Sequence, residues 1–446
     1  MNKYSAEILE ELPESTLKFF SSKKVLIVEP KKSLRSTFKK VLRDIGVPLQ
    51  SIEFSEGGYN EAMTQVLNLK PELIISPMTI QNSSAIELYE FHKKTLANRL
   101  EAGFFILSQS NSLSQASLIL DHEIDGCISE PFTAEGIKKM ILMSLDAKIH
   151  TSESAIQYEK LKGKISVSPQ EVSLNEIDAL NSFKDLERGQ IDYLKGYALS
   201  LQNQADQACV YLQTAASANP KSYRNLKLLA ETAFSAKNWK LAYETRQKML
   251  QIFPLNPETI PELIKLSVVN EKFDDIFDYL EIFEQLEEKS ELTERSIAAG
   301  LTICGKFLLQ RQKTEQGLEA LEKAVALGYQ NIEVLKSVIP IFLEQKVFSK
   351  AHALIELYKP YHLRSSAFAL LEMQVLSQSK KTLPKALKIA LELIAKGKRD
   401  ELVYESVLRL SVQLDRNPQF IEDLFNDSVK HHPHREQDFL QIIKKS

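Results

Sequence analysis

The chain has 446 residues, a formal net charge of −3 and 43% hydrophobic residues. This balance is ordinary for a globular protein and excludes a global basic field for nucleic acid or an anionic membrane surface. Only 14 glycines and 16 prolines, with abundant Leu, Ala, Lys and Glu, predict a mostly helical protein. No apolar run approaches the roughly 20 residues that span a bilayer, so no membrane insertion is expected.

The first third of the chain alternates short apolar runs with helical stretches. Residues 1–22 are predicted to form a helical extension, and residues 23–148 a domain of their own. Its apolar runs occupy residues 25–28, 73–76, 104–108 and 126–129. Short buried runs separated by helices are typical of a parallel α/β sheet, so a doubly wound domain is predicted here.

In order and spacing, this domain resembles the flavodoxin-like receiver domain of response regulators. A working receiver carries an acidic pair after its first strand, a phospho-accepting aspartate after its third, a hydroxyl after its fourth and a lysine after its fifth. The corresponding positions here are Glu29, Pro30, Pro77, Ser108 and Glu130. Ser76 would replace Pro77 if the register slipped by one residue. The resemblance therefore implies a pseudo-receiver that cannot form an aspartyl phosphate.

Beyond residue 190 the chain repeats itself with a period near 34 residues. Ala208 and Ala242, like Pro220 and Pro254, are separated by this interval. Small residues let two helices approach closely, and the prolines end the second helix of a pair. The pattern resembles tetratricopeptide repeats and predicts an all-α solenoid. The expected organisation is a partly helical linker at 149–189, about seven helix pairs at 190–433 and a capping helix at 434–446.

The tetratricopeptide resemblance implies a concave groove lined by the first helix of each pair. The side chains expected there are two tyrosines and three cations: Tyr193, Tyr197, Arg224, Lys227 and Lys265. Arg224 and Lys227 are expected to be exposed. Aromatic and basic side chains in one groove suit an extended or helical acidic peptide of a protein partner.

The sequence carries no signature of a catalytic or cofactor site. It contains no phosphate-binding GxxxxGK[ST] or GxGxxG pattern, no GxSxG elbow and no HExxH zinc motif. Three isolated cysteines predict neither a disulfide framework nor a metal site. We therefore expect no enzymatic activity, no cofactor and no metal.

These patterns predict a non-catalytic bacterial adaptor or scaffold for signalling or motility, located in the cytoplasm. It would bind one or more proteins through the groove and the pseudo-receiver surface. The alternatives are a phosphorelay response regulator with the repeats as its output, and an uncharacterised enzyme. A weak homodimer is a further hypothesis, formed through residues 114–120 and 137–143. Its apolar contacts would come from Leu118, Ile119, Ile137 and Ile141.

Overall fold

The computed structural model describes residues 12–56, 58–96, 99–108, 113–286, 289–328 and 331–444. It has two compact units, the first ending at Thr259 and the second beginning at Ile260. The first unit therefore contains the sheet domain and the first two helix pairs, whereas the sequence pattern predicts domain boundaries at residues 148 and 190. None of the helices in the described ranges is long and apolar enough to cross a membrane.

The sheet domain is built on five parallel strands. Their order across the sheet is β2-β1-β3-β6-β7, and every neighbouring pair is parallel. The strands are β1 (Val25–Val28), β2 (Ile52–Ser55), β3 (Leu73–Pro77), β6 (Gly103–Ser108) and β7 (Gly126–Ser129), and a separate two-stranded ribbon contains β4 (Thr79–Ile80) and β5 (Ser83–Ser84). Strand β2 is absent from the predicted runs because exposed Glu53 interrupts its apolar residues.

Helices cover both faces of this sheet. Alternate residues of β1 point to opposite faces, so Val25 and Ile27 enter one apolar core and Leu26 and Val28 the other. The helices are α1 (Glu14–Ser21), α2 (Lys32–Asp44), α3 (Tyr59–Leu69), α4 (Ala85–Thr95), α5 (Leu113–Asp121) and α6 (Ala134–Ile149). Helices α2 and α6 pack on the first core, and α3 and α4 on the second. Of the predicted extension, residues 1–11 lie outside the described residues.

Residues 149–189 are largely helical and pack on the first helix pair. They form α7 (Glu153–Val167), where the Ser152 hydroxyl caps the first turn, and the short α8 (Leu174–Asp178). The Gln202 side chain donates hydrogen bonds to the carbonyls of Pro169 and Val172. The segment is thus partly helical and packs on the first helix pair, and its assignment as a linker stays a prediction.

Consecutive helices form pairs throughout the rest of the described chain. The first unit contains α9 (Arg188–Leu201), α10 (Ala205–Ala218), α11 (Tyr223–Ser235) and α12 (Trp239–Ile252). The second unit contains α13 (Ile260–Val269), α14 (Asp274–Glu284), α15 (Glu291–Gln310), α16 (Thr314–Leu327), α17 (Ile332–Glu344), α18 (Phe348–Tyr358), α19 (Ser366–Leu376), α20 (Leu383–Ala395), α21 (Glu401–Gln413), α22 (Pro418–His431) and α23 (Glu436–Lys444).

A repeated turn connects the helices of a pair. Asn203, Lys237 and Glu271, spaced 34 residues apart, each adopt a positive φ after the first helix. The amide after each of them bonds to a carbonyl five residues earlier, as Gln204 does to Leu199. This is the Schellman ending of a helix, which satisfies terminal carbonyls and reverses the chain. The turn fixes the 34-residue period more regularly than the prolines do.

Glycines allow close approach within a pair. A Cβ atom on Gly305 of α15 would lie 2.6 Å from Cγ of Leu321 and 2.8 Å from the carbonyl oxygen of Gly317, both in α16. Both distances are below ordinary van der Waals contact, so the helices would have to separate. The sequence pattern of small residues facing each other therefore has a direct steric basis.

We predict that Gly305→Ala lowers the free energy of unfolding by about 1–3 kcal/mol, because overpacking outweighs the gain in helix propensity. Gly163→Ala is the matched control, since a Cβ there meets nothing within 4 Å. That control should be neutral or stabilising by up to about 1 kcal/mol. Urea denaturation of both variants measures the difference. Equal effects would contradict the close-approach argument.

Candidate peptide-binding groove

The positions that the receiver resemblance singles out lie along one edge of the sheet. Glu29 follows β1, Pro77 ends β3, Ser108 ends β6 and Glu130 follows β7. Carboxyl ends of parallel strands share an edge, so these positions face the same region. Pro30, the remaining position, is exposed beside buried Glu29.

The five receiver-like positions carry two carboxylates and a hydroxyl, and none of them is a lysine or an arginine. The carboxylate of Glu29 accepts a hydrogen bond from the amide of Lys31 at 2.9 Å. The Ser108 hydroxyl donates to the side chain of Gln115, and Glu130 is exposed ahead of a cis peptide bond to Pro131. Among the described residues, no group of three or more potential metal ligands occurs.

Four of the five predicted groove residues come together on α9 and α11. The rings of Tyr193 and Tyr197 stack with centroids 6.2 Å apart, and the Arg224 guanidinium lies 5.8 Å from the Tyr193 ring centroid. Tyr193 is only 5% exposed. Lys227 lies one turn beyond Arg224 on α11. Lys265, the fifth, belongs to α13 of the second unit, where it is exposed.

An acidic segment of the sheet domain occupies this groove. Helix α5 ends at Asp121, and residues 121–123, Asp-His-Glu, connect it to β7; we call them the acidic turn. The structure therefore differs from the expectation that Arg224 and Lys227 are exposed, because both are half-buried. Both side chains pair with carboxylates of the acidic turn, about 100 residues earlier in the chain.

Asp121 is the more enclosed of the two carboxylates. Its Oδ1 accepts a hydrogen bond from the Tyr223 hydroxyl at 2.8 Å and lies 2.9 Å from Nζ of Lys227. Its Oδ2 accepts from the Asn256 side-chain amide at 3.2 Å. Lys227 also donates to the backbone carbonyl of Asp121 at 2.8 Å. Both carboxylate oxygens are thus satisfied by the helical region.

Glu123 completes the contact with a second set of cations. Its Oε1 accepts from Nε of Arg224, and its Oε2 lies 3.3 Å from Nζ of Lys162 on α7. Its backbone carbonyl accepts from the Tyr89 hydroxyl at 3.2 Å, inside the sheet domain. Glu123 is therefore held from both sides, and its carboxylate points into the groove.

Burial and charge act in opposite directions on this site. Burial alone would raise the pKa of the Asp121 carboxyl, but the Lys227 ammonium and the Tyr223 hydroxyl outweigh it and hold that pKa below its ordinary value. Burial raises the pKa of the hydroxyls of Tyr193 and Tyr158 above the ordinary value. At neutral pH the Tyr193 and Tyr158 phenols are therefore neutral and the Asp121 carboxyl is ionised.

The helical ending explains how the acidic turn is presented. Glu123 has φ of 55°, and the amide of Ile124 bonds to the carbonyl of Ile119 at 3.0 Å. This is again a Schellman ending, with Glu123 in the left-handed position. It projects Asp121 and Glu123 from the same side of the helix end, two residues apart in sequence.

Sequence reasoning missed most of the residues that form this contact. Asp121 and Glu123 belong to a turn, and Lys162 lies in the predicted linker. Tyr223 begins a helix, and Asn256 lies in a loop. None of them is part of a sequence motif. Glu123 and Arg224 are 101 positions apart, and Asp121 and Asn256 are 135 apart. Covariation between such pairs in related sequences is the signal that would have identified them.

Two of the four apolar residues predicted to form a homodimer face are buried in the core. Ile137 and Ile141 are each 1% exposed and pack in the core of the sheet domain. Leu118 and Ile119 are half-buried on α5. The same helix leads into the acidic turn, which contacts α11. The predicted face therefore does not supply four free apolar contacts.

Comparisons with known proteins give a limited result. No protein-family model matches this chain, and no curated protein sequence matches it. A solved structure described as Naa15/Naa10 bound to HypK-THB is similar, with a TM-score of 0.45 and 16% sequence identity. The similarity covers 63% of this chain and 43% of that one, so the chain spans less than half the length of its match.

We predict that Lys227 and Asp121 are energetically coupled. In a double-mutant cycle of Lys227→Ala and Asp121→Ala, the coupling should be about 1–3 kcal/mol, because either single change strands a partly buried charge. Urea denaturation of the four proteins measures it. The pair Lys240 and Glu244, exposed on α12 and 3.9 Å apart, is the control and should give roughly 0.3–0.5 kcal/mol. Additive effects for Lys227 and Asp121 would show that the contact contributes nothing to stability.

Proposed function

We propose that this protein is a non-catalytic scaffold that binds protein partners through acidic segments. One observation carries the proposal: the groove of α9 and α11 already holds such a segment, the acidic turn. Two tyrosines, two cations from α11 and one from α7 surround it. These side-chain types supply much of the binding energy at protein interfaces.

We further propose that the sheet domain is receiver-like and the helix pairs are tetratricopeptide-like. The strand order β2-β1-β3-β6-β7 matches the doubly wound order of flavodoxin-like domains. The 34-residue spacing of the Schellman turns and the glycine contacts between paired helices support the second assignment. The bacterial origin, the cytoplasmic location and the role in signalling or motility belong to the same proposal.

Aspartyl phosphorylation is not part of the proposed function. Pro77 offers no nucleophile, and exposed Glu130 would repel a phosphoryl group where a lysine would attract it. These two substitutions argue against a phosphorelay response regulator. We propose instead that the sheet domain acts through its surface, and above all through the acidic turn.

Charge reversal of the groove tests the proposal. The variant Arg224→Glu with Lys227→Glu should lose at least tenfold of the partner recovered in affinity capture, about the effect of removing interface anchors. Quantitative mass spectrometry compares it with the wild-type protein. Lys237→Glu with Lys240→Glu, two exposed positions outside the groove, is the matched control and should keep the partners. Full recovery by the groove variant would place binding elsewhere.

A further inference from the structure

We infer that the acidic turn is a built-in competitor of the groove's partner, and that the partner presents the same chemistry. That chemistry is two carboxylates separated by one residue at the carboxyl end of a helix. This inference rests on the proposed function and adds to it the class of ligand and its regulation.

One residue of the acidic turn conflicts with the local preferences of a helix end. Asp121 is the last residue of α5, where the helix dipole favours a cation and disfavours a carboxylate. Glu123 occupies a left-handed position, as Asn203 and Lys237 do at other helix ends, so its backbone conformation is ordinary for such a turn. The contact of Asp121 with the groove cations offsets its unfavourable position at the helix end.

The two carboxylates, which are separated by one residue, contact two separate sets of donors in the groove. Tyr223, Lys227 and Asn256 engage the first carboxylate. Arg224 and Lys162 engage the second. The donors of the two sets lie on α7, α11 and the loop after α12, so the helical packing fixes their separation. A segment with neutral residues at these two positions would leave the Arg224 and Lys227 cations without a paired negative charge.

The contact is arranged so that an external ligand can compete for it. It consists of hydrogen bonds and ion pairs whose side chains are partly exposed: Glu123 is 30% accessible and Arg224 37%. An open cleft of about 1840 Å³ leads to it and is lined by Tyr193, Tyr197, Arg224 and Lys227 themselves. Among the described residues that line the cleft, lysines and arginine outnumber aspartates and glutamates by ten to six, and this excess of positive charge favours the approach of an acidic segment.

A tethered ligand has a high effective concentration, typically in the millimolar range. An external segment therefore binds only to the fraction of molecules in which the turn has left the groove, and its apparent affinity falls by that fraction. Removing the two carboxylates weakens the ion pairs that hold the turn and should therefore raise this fraction.

The test uses the full-length protein and a fluorescent peptide with the sequence of residues 115–126. Fluorescence anisotropy measures its affinity for the wild type and for Asp121→Asn with Glu123→Gln. The variant should bind at least about tenfold more tightly. Adding Arg224→Ala and Lys227→Ala should abolish this binding, and a peptide that carries Asp121→Asn and Glu123→Gln but keeps Asp125 should not bind. Circular dichroism should show equal helix content in all proteins.

The control variant Glu53→Gln with Glu135→Gln changes the net charge equally at exposed positions of the sheet domain and should bind like the wild type. We call Asp121→Asn with Glu123→Gln the turn variant. If the wild type and the turn variant bind the peptide equally tightly, and the groove substitutions abolish both, competition is contradicted but the proposed function is not. No binding by the turn variant would overturn both. Light scattering measures the oligomeric state of both proteins. If the wild type forms a dimer and the turn variant does not, the acidic turn lies in the groove of another copy. That result would contradict competition within one chain.

Discussion

The pairing of two carboxylates with the cations of a helical groove is the interaction on which the first compact unit depends. Asp121 and Glu123 are carried by the sheet domain, while Lys227 and Arg224 belong to α11. An unpaired charge at such a partly buried site is costly, so each side stabilises the placement of the other. The first compact unit, which ends at Thr259, contains both the acidic turn and the groove.

Several local devices position the two sides of this interaction. Schellman endings set the pitch of the helix pairs, and close contacts at glycines such as Gly196 hold α9 against α10. Helix α7 adds Lys162 to the groove and packs on α9. The same type of helix ending, at Glu123, presents the acidic turn. The type of turn that ends several helices of the described chain is thus also the one that contacts the groove.

The elements that follow from local pattern were predictable, and those that follow from long-range pairing were not. Continuous apolar runs identified β1, β3, β6 and β7, whereas β2 was missed because Glu53 breaks its pattern. Repeat spacing identified Tyr193, Tyr197, Arg224 and Lys227 as neighbours. It could not identify the segment that occupies the groove, because nothing near Asp121 in the sequence marks it as a partner of residues a hundred positions away. The exposure of Arg224 and Lys227 was therefore misjudged, because periodicity reports which face of a helix a residue lies on and not what covers that face.

Zero-length carbodiimide crosslinking tests the central claim most directly, because it joins a carboxylate and a lysine amine only when they are in contact. In the monomeric fraction, the account predicts crosslinked peptides that connect Asp121 with Lys227 and Glu123 with Lys162. The ion pair of Lys148 and Asp125, inside the sheet domain, serves as the internal standard for reactivity. Crosslinking of Lys148 to Asp125 without either of the other two products would show that the acidic turn does not occupy the groove in solution.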